Sequence, residues 1–283
     1  MLPTATLTDT TGTLQATDGT PLFYRDWPVD RARACLVLVH GLGEHAGRYV
    51  HVADRLNGIG IAVRAADHRG HGKSSGKRGV LLRPDDLIHD LALVVEQYAK
   101  EQGTRPFLLG HSLGGLVAAR VATGGYAQVR GLILSSPALR LRLPPFAADM
   151  LAYASFFMPS MVIDRGSWLR RISHDPSVLP AAESDPLNHR NVTAGLLYSM
   201  FPAMKQAYHD AASFDKPTLL LVAGDDHIVN PKGSLDFYGR LPNHIGTLRW
   251  YDTAYHEIFN ETSELRTRVL NDLCEWIELQ LSQ

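Results

Sequence analysis

The chain has 283 residues, and its 28 basic and 29 acidic side chains leave a formal net charge of −1. That length suits one large α/β domain, or one domain with a sizeable insertion, and it buries enough surface to fold without disulfides or a metal. The near-balance of charge and the lack of a long basic run remove the electrostatic footprint of a nucleic-acid binder. The two cysteines, Cys35 and Cys274, make no disulfide framework.

In chain order, residues 12–16 and 22–27 read as a β-hairpin turning at Asp18-Gly19. Residues 34–39 are apolar throughout, as a strand covered on both faces should be, and they run into the loop His40-Gly41-Leu42-Gly43. A helix over 49–57, closed by Gly58, and a strand over 61–66 follow. Residues 67–79, DHRGHGKSSGKRG, are a loop by composition. The spacing of Leu87, Leu91, Val94, Val95 and Tyr98 predicts a helix over 84–102. A strand at 107–109, a helix at 113–123 ended by Gly124-Gly125 and a strand at 131–134 continue the alternation. Strands alternating with helices imply a mostly parallel sheet covered on both sides.

The alternation stops at Pro137. From 137 to 214 the pattern turns helical, broken at Pro159, Pro176, Pro180, Pro186 and Pro202, and it reads as an inserted cap. Regular α/β structure resumes with a strand at 218–222, a helix at 232–240, a strand at 247–251 and a helix at 264–281. The expected division is a core of 1–136 and 215–283 and a cap of 137–214. Five of the 6 methionines fall in the cap (Met150, Met158, Met161, Met200 and Met204), with Phe146, Tyr153, Phe156, Phe157, Trp168, Tyr198 and Phe201. Such a soft, aromatic surface suits a flexible acyl chain, and it equally suits an ordinary helix–helix core or a dimer contact. The opening MLPTATLTDTTGTLQ has no basic n-region and no apolar h-region. The apolar stretch 146–158 is shorter than the roughly 20 residues a bilayer span takes. The expectation is a cytoplasmic chain, free or peripheral to a membrane.

The motif that carries chemistry is Gly110-His111-Ser112-Leu113-Gly114. G-x-S-x-G alone is weak, but here an apolar strand precedes it and an apolar helix follows. That is the strand–turn–helix context of a nucleophile elbow. A Cβ at Gly110 or Gly114 would clash with the neighbouring strand or helix. The turn lifts the Ser112 hydroxyl clear of the sheet, and the Leu113 N–H at the helix start is placed to stabilise a developing oxyanion. A second donor is expected from the loop after strand 34–39, the N–H of Leu42.

Ser112 needs a base, and the base needs an orienting carboxylate. With such an elbow the chain order is Ser, Asp or Glu, then His. Of the 13 histidines, His256 follows the last strand and is preferred to His244, which precedes it. The carboxylate belongs just after strand 218–222, at Asp225 or Asp226, with Asp226 favoured and Asp252 an outside alternative. No metal or organic cofactor is implied.

Taken together, His40-Gly41-Leu42-Gly43-Glu44-His45 with Arg48-Tyr49, the segment Asp67 to Ser74, GHSLGG, Gly224-Asp225-Asp226 with Lys232-Gly233, and Tyr255-His256-Glu257 resemble the monoacylglycerol lipase and lysophospholipase branch of the α/β-hydrolases. The resemblance runs in order from about His40 to His256. It implies the α/β-hydrolase fold with an inserted helical cap. It maps nucleophile, acid and base onto Ser112, Asp226 and His256, and oxyanion donors onto the N–H groups of Leu42 and Leu113. The family's glycerol-contacting Glu and Arg fall on Glu44 and Arg48, for which a loop salt bridge is the plainer reading. Some relatives place a second histidine three residues after the base, where it helps bind glycerol; here that position is Phe259. With Phe146, Met150 and Phe157 of the cap, these are the expected substrate contacts. The implied activity is ester hydrolysis of a monoacylglycerol, with lysophospholipase or general carboxylesterase as the alternative and a non-catalytic ligand-binding relative as a remote one. The implied partner is a lipid ester, with transient contact between cap and membrane surface, in a monomer or homodimer.

Overall fold

The computed structural model describes residues 9–144, 146–164 and 171–282. Among these residues ten strands form in order: β1 (Thr10–Gln15), β2 (Pro21–Trp27), β3 (Ala34–Val39), β4 (Ile61–Ala66), β5 (Phe107–His111), β6 (Gly131–Ser135), β7 (Val162–Asp164), β8 (Asn191–Thr193), β9 (Thr218–Ala223) and β10 (Gly246–Tyr251). Eight of them make one sheet in the order β1-β2-β4-β3-β5-β6-β9-β10. Within this sheet only β1–β2 and β2–β4 pair antiparallel, and β4–β3, β3–β5, β5–β6, β6–β9 and β9–β10 are all parallel. The strands β3, β4, β5, β6 and β9 are buried along their whole length, as a sheet covered on both faces requires.

The covering helices are α1 (Val50–Asn57), α2 (Asp86–Gln102), α3 (Leu113–Thr123), α7 (Lys232–Tyr238) and α8 (Ser263–Leu281). α1 and α8 bury Leu56, Leu273 and Ile277 against Leu36, Leu38 and Phe107 on one face. α2, α3 and α7 bury Leu91, Val121 and Phe237 with Val37, Leu108 and Leu220 on the other. Alternate residues of one strand thus serve opposite cores, as the two-residue period of a strand dictates.

Between β6 and β9 the chain leaves the sheet and forms α4 (Ala147–Phe157), α5 (Val178–Ser184) and α6 (Ala194–Asp210). α6 packs on both α3 and α4. This excursion is not wholly helical: β7 and β8 pair antiparallel. Nor does every proline interrupt a helix. α6 runs through Pro202, because its face carrying Leu197, Met200 and Met204 is buried, and tertiary packing outweighs one lost backbone hydrogen bond. Pro180 sits in the first turn of α5, where no intrahelical donor is needed. Polar ties fasten the excursion to the sheet layers: Arg120 to Asp210 at 2.5 Å, Thr193 Oγ1 to the Gly79 carbonyl at 2.7 Å, and His189 N–H to the Gly43 carbonyl at 2.9 Å. Among the described residues no helix is long and apolar enough to cross a membrane.

Candidate active site

The loops that follow β3, β5, β9 and β10 meet at the carboxyl ends of the parallel strands. β5 ends at His111 and α3 starts at Leu113, so the whole turn is Ser112, held at φ 52°, ψ −118°. A non-glycine residue reaches such a conformation only when its surroundings impose it. Here Ser112 N–H donates to the Ser135 carbonyl at 3.0 Å, and the Ser112 carbonyl accepts from Ala138 at 2.9 Å and Leu116 at 3.1 Å. The tightness of the turn explains its glycines. A Cβ on Gly110 would lie 2.3 Å from the Gly114 carbonyl oxygen, and one on Gly114 would lie 2.4 Å from that of His40.

The ends of β9 and β10 approach so closely that a Cβ on Gly224 would meet the Asp252 carbonyl at 2.6 Å. This brings the two following loops together. His256 Nδ1 lies 2.6 Å from Asp226 Oδ2, and His256 Nε2 lies 2.8 Å from Ser112 Oγ. Asp226 Oδ1 accepts the Ile228 and Val229 N–H groups at 2.7 and 2.9 Å. All three side chains are buried. Burial by itself would push the His256 imidazolium toward deprotonation, but the facing Asp226 carboxylate outweighs it and holds the pKa above the ordinary histidine value. Burial likewise works against the Asp226 carboxylate, and the His256 ring with the two backbone donors overcomes it, leaving Asp226 below its ordinary value. Asp225 is half-exposed and pairs with His227 at 3.2 Å. Asp252 and His244 are exposed. An imidazole placed this way can take a proton from the serine hydroxyl while its other nitrogen is held by a carboxylate.

Two cavities meet at Ser112. The first, about 200 Å³, is mixed: Glu44, Arg48, Asp185, Asn188 and Glu257 line it beside His256, together with the apolar Ile172, Leu179 and Ala182. The second, about 100 Å³, is apolar: Leu113, Ala138, Leu141, Leu197, Met200 and Val229. Leu42, Ser112 and Ile228 border both. Among the described residues, the N–H groups of Leu42 and Leu113 meet no protein acceptor. Glu44 and Arg48 are both an ion pair and part of the wall. Arg48 Nη1 donates to Glu44 at 2.8 Å and to Glu257 at 3.0 Å, and Nη2 donates to Glu257 at 2.7 Å.

Four expected substrate contacts lie outside both cavities. Phe146, Met150 and Phe157 line neither cavity and are more than half exposed, because α4 turns Leu151 and Ala154 inward and its aromatic side outward. Phe259 is 1% exposed; the short helical turn after His256 buries it edge-on against Tyr49, 6.5 Å between ring centres. Trp168 lies outside the described residues. The apolar wall is instead supplied by Leu197 and Met200 of α6, and the polar one by Asp185, Asn188 and Glu257. Glu257 carried a signal in its place next to His256, and Met200 stood among the cap methionines suited to an acyl chain. The others come from the far side of a long excursion, which spacing cannot reveal.

A mostly parallel sheet with a strand–serine–helix turn at its carboxyl edge is that of an α/β-hydrolase, and the chain is a serine hydrolase of carboxylic esters. The family model described as serine aminopeptidase, S33 (Hydrolase_4), matches residues 30–263, and the chain belongs to that family. It is 31% identical over 264 residues to the monoacylglycerol lipase of Mycolicibacterium smegmatis, covering 92% of this chain and 93% of that one. The crystal structure of Paleococcus ferrophilus monoacylglycerol lipase superposes with a TM-score of 0.82 at 33% identity, covering 92% of this chain and 98% of that one. An uncharacterized abhydrolase domain-containing protein of Dictyostelium discoideum is 32% identical over 277 residues; these are 96% of this chain but 29% of that protein.

Proposed function

We propose that the protein hydrolyses monoacylglycerols to fatty acid and glycerol through an acyl-enzyme on Ser112. The observation that carries this reading is the position of Ser112, hydrogen-bonded to His256 and standing between a cavity that holds the charged Glu44, Arg48 and Glu257 and a second, more apolar one. A single-chain ester fits that division, with its acyl chain along Leu197 and Met200 and its polyol beside Glu44, Asn188 and Glu257. The relatives named monoacylglycerol lipase support the same reading. His256 takes the Ser112 proton as Oγ attacks the ester carbonyl. The N–H groups of Leu42 and Leu113 hold the oxyanion, and His256 then protonates the departing glycerol oxygen. Water, deprotonated by His256, attacks the acyl-enzyme and releases the fatty acid. Asp226 keeps the proton on Nδ1 and stabilises the imidazolium.

In this reading residues 137–214 are a cap that supplies the acyl wall, the chain is cytoplasmic, and the exposed aromatic side of α4 touches the membrane from which substrate is drawn. Whether it works as a monomer or a homodimer does not alter the chemistry, since the facing residues all come from one chain. The test is hydrolysis of 1-monoacylglycerols of short, medium and long chain beside lysophosphatidylcholine and p-nitrophenyl esters. A kcat/KM for a monoacylglycerol at least about tenfold above that for the lysophospholipid of the same chain, about 1.4 kcal/mol of discrimination, is expected. Cleavage of activated short esters alone would leave the esterase and remove the monoacylglycerol.

A further inference from the structure

The ring of His40 is fully buried beneath the loop that carries Leu42. Its two nitrogens have different partners. Nε2 accepts the His68 backbone N–H at 3.0 Å, so it holds no proton. In the neutral ring the proton is then on Nδ1, which lies 2.7 Å from the Gly41 carbonyl oxygen. Asp67 is no competing acceptor for a proton on Nε2. Its Oδ1 is 3.9 Å away, beyond hydrogen-bond range, and takes the Ala46 N–H at 2.7 Å. Burial favours the neutral ring and pushes its pKa down to about 4.

The Gly41 carbonyl and the Leu42 N–H belong to one peptide group. The described chain has no cis peptide bond, so the two point in opposite directions. A carbonyl drawn toward the buried ring sends the N–H the other way. A Cβ on Gly41 would sit 3.2 Å from the Ser112 Cβ, which places this peptide against the nucleophile. The N–H of Gly41 is pinned as well, by Glu44 Oε1 at 2.6 Å.

We infer that His40 is a positioning residue: held as the Nδ1–H tautomer, it fixes the Gly41–Leu42 peptide so that the Leu42 N–H faces the reaction centre. The opposite tautomer would set a bare Nδ1 against the Gly41 oxygen and an Nε2–H against the His68 N–H. It would favour the flipped peptide, in which a carbonyl oxygen faces the developing negative charge. The His68 N–H thus selects the tautomer, the tautomer selects the peptide orientation, and the orientation builds half of the oxyanion site. This rests on the reading of Leu42 as an oxyanion donor.

The test uses the two partial mimics of a histidine. Asn places an amide N–H near Nδ1, and Gln places its amide near Nε2. H40N is expected to keep kcat for a monoacylglycerol within about tenfold of the parent. H40Q and H40A are expected to lose about 10²–10³-fold in kcat, with KM changed by less than about threefold. Affinity for a tetrahedral mimic such as an alkyl boronic acid falls in step with kcat. Equal losses in H40N and H40Q, or a loss carried by KM, would overturn the inference. If the variants do not fold, long-range ¹H–¹⁵N NMR of the histidine-labelled parent decides, with the His40 ring assigned through its contacts to His68. A proton on Nδ1 is expected, and one on Nε2 overturns the inference. S112A separates the two levels. If it stays active, the serine-hydrolase reading itself falls; if it is inactive while H40N and H40Q behave alike, only the role of His40 falls.

Discussion

At φ 52°, ψ −118° the Ser112 backbone is in a region whose occupation costs about 1–3 kcal/mol, and the strands and α3 that hold it there are among the most buried parts of the protein. His256 works in the opposite electrostatic regime from His40 and His111, since Asp226 raises its pKa while burial lowers theirs. The base must be neutral to accept a proton. Activity is therefore lost as pH falls through a value above the ordinary 6.5 of histidine. Asp226→Asn removes the charge that raises it. The acid limb of kcat/KM should move to lower pH, and kcat should fall about 10³–10⁴-fold as tautomer and imidazolium both lose support. A pH profile with a soluble ester checks this, and an unmoved acid limb would contradict the pairing. The three residues that meet here were legible because each lies just past a strand that periodicity reveals, in the order an elbow demands. Phe259 was not, because the direction of a side chain in a three-residue helical turn depends on which core lies beneath it.

Elements whose hydrophobic pattern leaves one choice were legible to the residue. β3 and α3 are unbroken apolar or helical runs, β4 is apolar but for Arg64, and each is closed by glycine or a charged loop. β7 and β8 were not, because three residues pair with three others across an intervening helix, with no hairpin turn to announce them. The place of β4 between β2 and β3 is equally silent in sequence, since order is set by the connections. α4 shows the limit of composition. A helix rich in Met and Phe reads alike whether its aromatic side meets substrate, core or solvent, and here Tyr153, Phe156 and Phe157 are exposed. Contact of that side with a bilayer predicts co-flotation with phosphatidylcholine vesicles, reduced at least about fivefold in F156S/F157S, since each buried aromatic side chain contributes about 1.5–3 kcal/mol. Equal flotation of parent and variant, or none of either, would contradict the contact.

Across the whole molecule, the carboxyl edge of the sheet concentrates groups whose protonation is set by burial. Burial pushes His40 and His111 down to about 4 and His68 to about 3, and it drives His71 well below the ordinary 6.5. Between 6.5 and about 4 the unfolded chain takes up protons that the folded chain refuses, so folding stability falls as pH falls through that window. His256 has the opposite sign: its contribution is present below 6.5 and fades as pH rises through its raised value. With His51, which burial also lowers, five histidines oppose one, and Tm should drop on the order of 5 °C or more from pH 7 to pH 5, as calorimetry would show. A flat Tm over that range would contradict the neutral cluster. The most direct measurement of the central claim is monoacylglycerol hydrolysis by the parent and Ser112→Ala, together with peptide mapping of the parent after reaction with an alkyl fluorophosphonate. The account predicts a loss of at least about 10⁴-fold in a variant that keeps its Tm, and a single phosphonylated residue, Ser112. A folded Ser112→Ala that still hydrolyses the ester, or a label on another residue, would contradict it.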